Sequence, residues 1–84
     1  MEELINSINE VFELWPTRSK IIVYNVEGNI YSLLLWKQPL FTCDSFAGVA
    51  LLRRWEHLGI IKPGIGYGCW YINKKLFKEV ILNE

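Results

Sequence analysis

Histidine, cysteine and long apolar runs are scarce in this chain, and each scarcity closes off a class of function. Its 84 residues hold one histidine, His57, and two cysteines, Cys43 and Cys69, which are too far apart for a Cys-x-x-Cys redox motif or a zinc-ligand spacing. No metal and no cofactor are therefore expected. Two reduced thiols suit an intracellular protein; a Cys43–Cys69 disulfide is the alternative and would fit a hyperthermophile, where intracellular disulfides are common. Unbroken apolar runs, such as Leu33 to Trp36, stop at four residues, so neither a membrane-spanning helix nor a membrane partner is expected. The opening Met1-Glu2-Glu3-Leu4 is acidic where a secretion signal would be basic, which sets the expectation of a cytoplasmic protein.

Net charge is also missing: nine bases balance nine acids, which argues against a protein that grips phosphates with its whole surface. The distribution is uneven. Glu2, Glu3, Glu10 and Glu13 stand among the first fourteen residues with no base, whereas from residue 37 to 78 seven bases face only Asp44 and Glu56. An acidic end is joined to a basic body.

What is abundant is apolar and aromatic, at 51% and 14% of the chain, enough for one core in a single domain spanning residues 1–84. Leu4, Ile5, Ile8, Val11, Phe12 and Trp15 form a helical stripe that Pro16 closes. Lys20 to Val26 is dense in β-branched and aromatic residues and apolar on both faces, which predicts a central or covered strand. Glu27-Gly28-Asn29 is a turn, and the segment after it has two readings. Ile30 to Gln38 is either a helix capped by Asn29, as the triple leucine suggests, or the return strand of a hairpin over residues 20–36. Asn73 caps a last helix with Leu76, Phe77, Val80 and Ile81 on one stripe. The two terminal helices either pack on each other or offer a homodimer contact.

The best-defined stretch runs from Asp44 to Ile61. Gly48, Leu51, Leu52, Trp55 and Leu58 recur at helical spacing, Asp44 or Ser45 can cap the start, and Gly59 supplies a left-handed stop. Ile60 and Ile61 lead into Lys62-Pro63-Gly64-Ile65-Gly66-Tyr67-Gly68 and then Cys69 to Ile72, a strand, a glycine-rich turn and a second strand. Leu51-Leu52-Arg53-Arg54-Trp55-Glu56-His57-Leu58-Gly59-Ile60-Ile61 resembles the end of the recognition helix of a winged helix-turn-helix domain running into its two-stranded wing. The likeness covers Asp44 to Asn73.

That resemblance implies a small α+β winged helix-turn-helix fold of order α-β-α-α-β-β-α, with Pro39 to Cys43 as the turn between two helices and Leu40 or Phe41 as its buried plug. If residues 20–36 form a hairpin instead, the fold is an α+β layer with a four-stranded sheet. The resemblance further implies a regulator of transcription binding duplex DNA. The bases offered to DNA are Lys37, Arg53, Arg54, Lys62, Lys74 and Lys75, joined by Ser45 at the helix start and Tyr67 at the wing tip. Reading base edges needs donors and acceptors, yet the first half of the helix presents Phe46, Ala47, Val49 and Ala50 beside Ser45. Contacts led by the phosphate backbone are the expectation. The alternative is a protein-binding module, an inhibitor or adaptor, using Phe46, Val49 and Ala50.

No catalytic residue is expected. His57 and Glu56 are sequence neighbours and so point to different sides of a helix, and Cys43 has no base that the sequence places beside it. Gly64, Gly66 and Gly68 open no helix and lack the lysine-serine pair of a phosphate loop, so they read as a hairpin tip.

Overall fold

The structure is a computed structural model that describes residues 2–35, 38–42, 45–64, 66 and 68–83. Its elements are α1 (Glu2–Leu14), β1 (Lys20–Val26), β2 (Asn29–Ser32), α2 (Ser45–His57), β3 (Ile61–Pro63), β4 (Cys69–Asn73) and α3 (Lys74–Leu76), the last continuing as a π-helical turn, Phe77–Ile81. The strands form one antiparallel sheet in the order β2-β1-β4-β3. The chain is thus a small α+β domain of three helices and a four-stranded sheet. No helix among the described residues is long and apolar enough to cross a membrane.

Of the two readings of the segment after Glu27-Gly28-Asn29, the structure shows the hairpin with its four-stranded sheet and not the helix over residues 30–38 where these are described, and the element order is α-β-β-α-β-β-α. The reason lies in the turn before that segment. Glu27 at φ 51° and Gly28 at φ 93° are both left-handed, the conformation of a two-residue hairpin turn whose twist matches its strands. This returns Asn29 beside Val26 and brings Tyr31 opposite Tyr24, where the rings stack at 5.4 Å between centroids. Asn29 therefore begins a strand instead of capping a helix. The leucines make only a short 3-10 turn, Leu33–Leu35, and the buried Ser32 hydroxyl accepts the Leu34 N–H at 3.1 Å. Phe41 then pairs with Ile30 along the outer edge of β2, and Leu40 is buried beside it.

Helices α1 and α2 and the π-helical turn after α3 contribute to one core on one side of the sheet. Leu4, Ile8, Val11 and Phe12 of α1 and Leu51, Leu52 and Trp55 of α2 join Ile21, Val23, Ile30, Ile61, Trp70 and Ile72 from the strands. Phe77 closes the cluster, its ring centroid 5.9 Å from Phe12 and 6.2 Å from Trp55. The terminal helices thus meet within the chain. Strand β1 is central, as expected, but covered on one face only: Ile21 and Val23 are buried, while Ile22 and Tyr24 are half-buried on the other side.

The C-terminus of α2 explains why Leu58 leaves the apolar stripe it was expected to share. Gly59 sits at φ 81°, its N–H bonds to the Glu56 carbonyl at 3.0 Å, and the Ile60 N–H bonds to the Trp55 carbonyl at 3.1 Å. That pair of bonds is a Schellman stop, with Leu58 as the capping residue and 58% exposed, and Ile60 turned back into the core. At the other end, Asn73 caps α3 by accepting the Leu76 N–H at 3.0 Å.

Trp55 is 2% exposed at the junction of α2 with Phe77. Trp55→Ala is expected to cost about 3–5 kcal/mol in a denaturant melt, since the cavity it leaves is walled by fixed helices and strands. A loss under about 1 kcal/mol would place the indole outside the core.

Candidate nucleic-acid interface

The solvent side of α2 changes character along its length. Phe46, 84% exposed, and Ala47 and Ala50 occupy the first half, with Val49 half-buried; Arg53, Arg54 and His57 occupy the second and are exposed. Ser45 begins the helix, and Lys37 and Tyr67 lie outside the described residues. Among the described residues no carboxylate pairs with Arg53 or Arg54.

Beside this face α2 and the β3–β4 hairpin enclose an open groove of about 920 Å³. Val49, Arg53, Glu56 and His57 line one wall, Pro63, Gly66, Gly68, Cys69 and Trp70 the other, and Asn25 of β1 lies between. The walls are joined by one hydrogen bond, in which the Trp70 indole N–H donates to Glu56 Oε1 at 2.9 Å. Glu56 thus has one carboxylate oxygen engaged by Trp70. The side-chain oxygen of Asn25 is buried and has no partner among the described residues, while its backbone N–H donates to the Gly68 carbonyl at 2.8 Å.

Two glycines of the hairpin, Gly64 and Gly68, answer to packing, whereas Gly66 faces open space. A Cβ on Gly64 would approach Cys69 Sγ to 3.0 Å, and Gly68 sits at φ 68° with the Asn25 carbonyl 3.3 Å from where its Cβ would be. Cys69 carries a free thiol; Cys43 is outside the described residues.

The structure does not gather the expected bases into one patch. Lys62 pairs with Tyr71, which alternates with the buried Trp70 and Ile72, so Lys62 stands on the face of the sheet away from α2. Lys74 and Lys75 follow β4 at the end opposite the hairpin tip, roughly 16 Å from Cys69 by strand rise. Lys74 Nζ donates to the Pro16 carbonyl at 2.8 Å and its backbone N–H to the Ser19 carbonyl at 2.9 Å, tying α3 to the link after α1. Of the expected bases, Arg53 and Arg54 share the solvent side of α2, together with His57, Phe46 and Ala50. Lys20, never in the expected set, joins Lys62 on the other face, with its Nζ 5.0 Å from the centroid of the Tyr71 ring.

No protein-family model, curated protein or solved structure matches the chain.

The Trp70–Glu56 bond spans the groove from β4 to α2. Trp70→Phe keeps the buried ring and removes the donor, so stability is expected to fall by only about 1 kcal/mol while amide exchange in β3 and β4 rises, measured by hydrogen–deuterium exchange. Unchanged exchange would mean that the hairpin is held without the bond.

Proposed function

We propose that this domain is a non-catalytic, intracellular DNA-binding regulator that holds duplex DNA by its phosphates through the second half of α2. One observation carries the reading: Arg53 and Arg54 are exposed, free of carboxylate partners among the described residues, and on the same helix face as His57. Arginine in this state matches phosphate geometry with its planar fork and loses little solvation in doing so. The winged-helix resemblance supports it through α2, its Gly59 stop and the two-stranded hairpin that follows. The strand at residues 29–32, where a winged helix-turn-helix domain would carry a helix, limits the likeness to that half of the chain. Sequence reading is not part of the proposal, because the exposed first half of α2 offers Phe46, Ala47 and Ala50 to base edges.

A second reading rests on Phe46. An aromatic side chain 84% exposed at the start of a helix, with Ala50 one turn on, is what the centre of a protein contact needs. On that reading the domain is an inhibitor or adaptor, and Arg53 and Arg54 form its rim. A homodimer through the terminal helices would have to cover the exposed Leu14, Leu76 and Val80.

Titration of random-sequence duplex at two salt concentrations separates the readings. Arg53→Ala and Arg54→Ala should each weaken binding about equally on any duplex and lower the slope of log K against log salt by about 0.9, with Phe46→Ala nearly silent. Absence of binding at low salt by a folded chain would remove the DNA reading. For a protein partner the order reverses, with Phe46→Ala costing ~2 kcal/mol or more.

A further inference from the structure

The sheet has a second face that no described helix covers. Strand alternation sends Ile21, Val23, Trp70 and Ile72 into the core and Ile22, Tyr24, Tyr31 and Tyr71 to the opposite side, where none is fully buried. Three tyrosines share one face of the four-stranded sheet: Tyr24 and Tyr31 stand opposite each other, and Tyr71 lies diagonal to Tyr24, across from Ile22. Tyr31 stacks on Tyr24, with planes 17° apart, and Tyr71 pairs with Ile22 on one side and Lys62 on the other. Lys20 rests over the Tyr71 ring at 5.0 Å. The strand residues on this face include two lysines and no acid.

We propose that this helix-free face binds single-stranded nucleic acid, with unpaired bases stacking on Tyr71 and the Tyr24–Tyr31 pair and phosphates held by Lys20 and Lys62. A phenol ring offers a flat apolar surface to any base, and stacking of this kind is sequence-tolerant. A duplex hides its base faces inside the stack, so the tyrosine face selects against it. A protein interface fits less well, because its centre is depleted of lysine, and burying Lys20 and Lys62 against an apolar partner would strand two ammonium groups. A phosphate backbone leaves them solvated and paired. The ammonium lying on Tyr71 in the free protein is within reach of a phosphate once a base takes its place on the ring. The site is independent of the duplex reading, since it uses neither Arg53 nor Arg54 and lies on the other side of the sheet.

The test is fluorescence anisotropy of the full chain with a labelled oligothymidylate and with a duplex of equal length. The single strand should bind at low salt and lose roughly sevenfold in affinity between 50 and 200 mM salt if two phosphates are neutralised. Tyr71→Ala should weaken it roughly fivefold to hundredfold and Tyr71→Phe leave it nearly unchanged, because the ring is kept. Lys20→Ala and Lys62→Ala, at exposed positions that leave the core intact, should each lower the salt slope by about 0.7. Arg53→Ala should leave single-strand binding as it was. The proposal is overturned if the folded chain ignores the single strand at low salt, if both lysine variants bind like the parent, or if Arg53→Ala weakens the single strand as much as Tyr71→Ala. Single-strand binding through Tyr71 without duplex binding would sink the duplex reading and leave this one standing.

Discussion

Strand β1 is hydrogen-bonded on both edges, to β2 and to β4, and every surface with a functional part to play depends on that double pairing. A strand paired on both sides cannot slip by one residue without turning Ile21 and Val23 out to solvent, so its register is held by the core itself. That register decides which side chains of β2 and β4 face the helices. It also decides which do not: Tyr24, Tyr31 and Tyr71 stand together because Ile21, Val23, Ile30 and Ile72 are packed beneath α1, α2 and Phe77. Strand β3, three residues long and ending at Pro63, blunts the hairpin edge of the sheet against further pairing.

A neutral chain can still present local charge, and this one does so by separation. The glutamates of α1 lie on its exposed side, Arg53 and Arg54 on the end of α2, and Lys20 with Lys62 on the far face of the sheet. Neither basic site carries the charge of a protein that binds polyanions at long range; each holds two cations. Two different supplements accompany them. On α2 it is the exposed Phe46 in the preceding turns, and on the sheet it is a group of tyrosines, so the chemistry beside the charge separates one face from the other.

Local rules made α1, α2 and the β3–β4 hairpin legible in the sequence. The apolar stripe of α1, Pro16, the Gly59 stop and the Asn73 cap each act within a few residues and appear where they were expected, whereas Leu58, Leu76 and Val80 leave the stripes read for them. Ile30 to Leu35 was legible only as a choice between helix and hairpin strand, for the opposite reason. Its three leucines favour helix by propensity, and what overrides them is non-local: a left-handed Glu27, a ring stack across two strands and a backbone bridge from Ile30 to Phe41. The site was less legible than the fold. Arg53 and Arg54 could be placed from the helix alone, but Lys62 and Lys74 could be located only once the strand order was known, and counting bases from residue 37 onward missed Lys20 altogether. The alternation of Lys20, Ile22 and Tyr24 was the available signal. It went unread because β1 was read as apolar on both faces.

The central claim is that the sheet separates two surfaces of different chemistry, a basic helix end on one side and a tyrosine-lysine face on the other. Backbone amide shifts of the labelled protein, followed while oligothymidylate or duplex is added, test it most directly. The account predicts that the single strand moves Ile22, Tyr24, Tyr31 and Tyr71 and leaves α2 still, whereas the duplex moves Arg53, Arg54 and His57. Shifts that coincide for both ligands, or that centre on Phe46 for either, would contradict it.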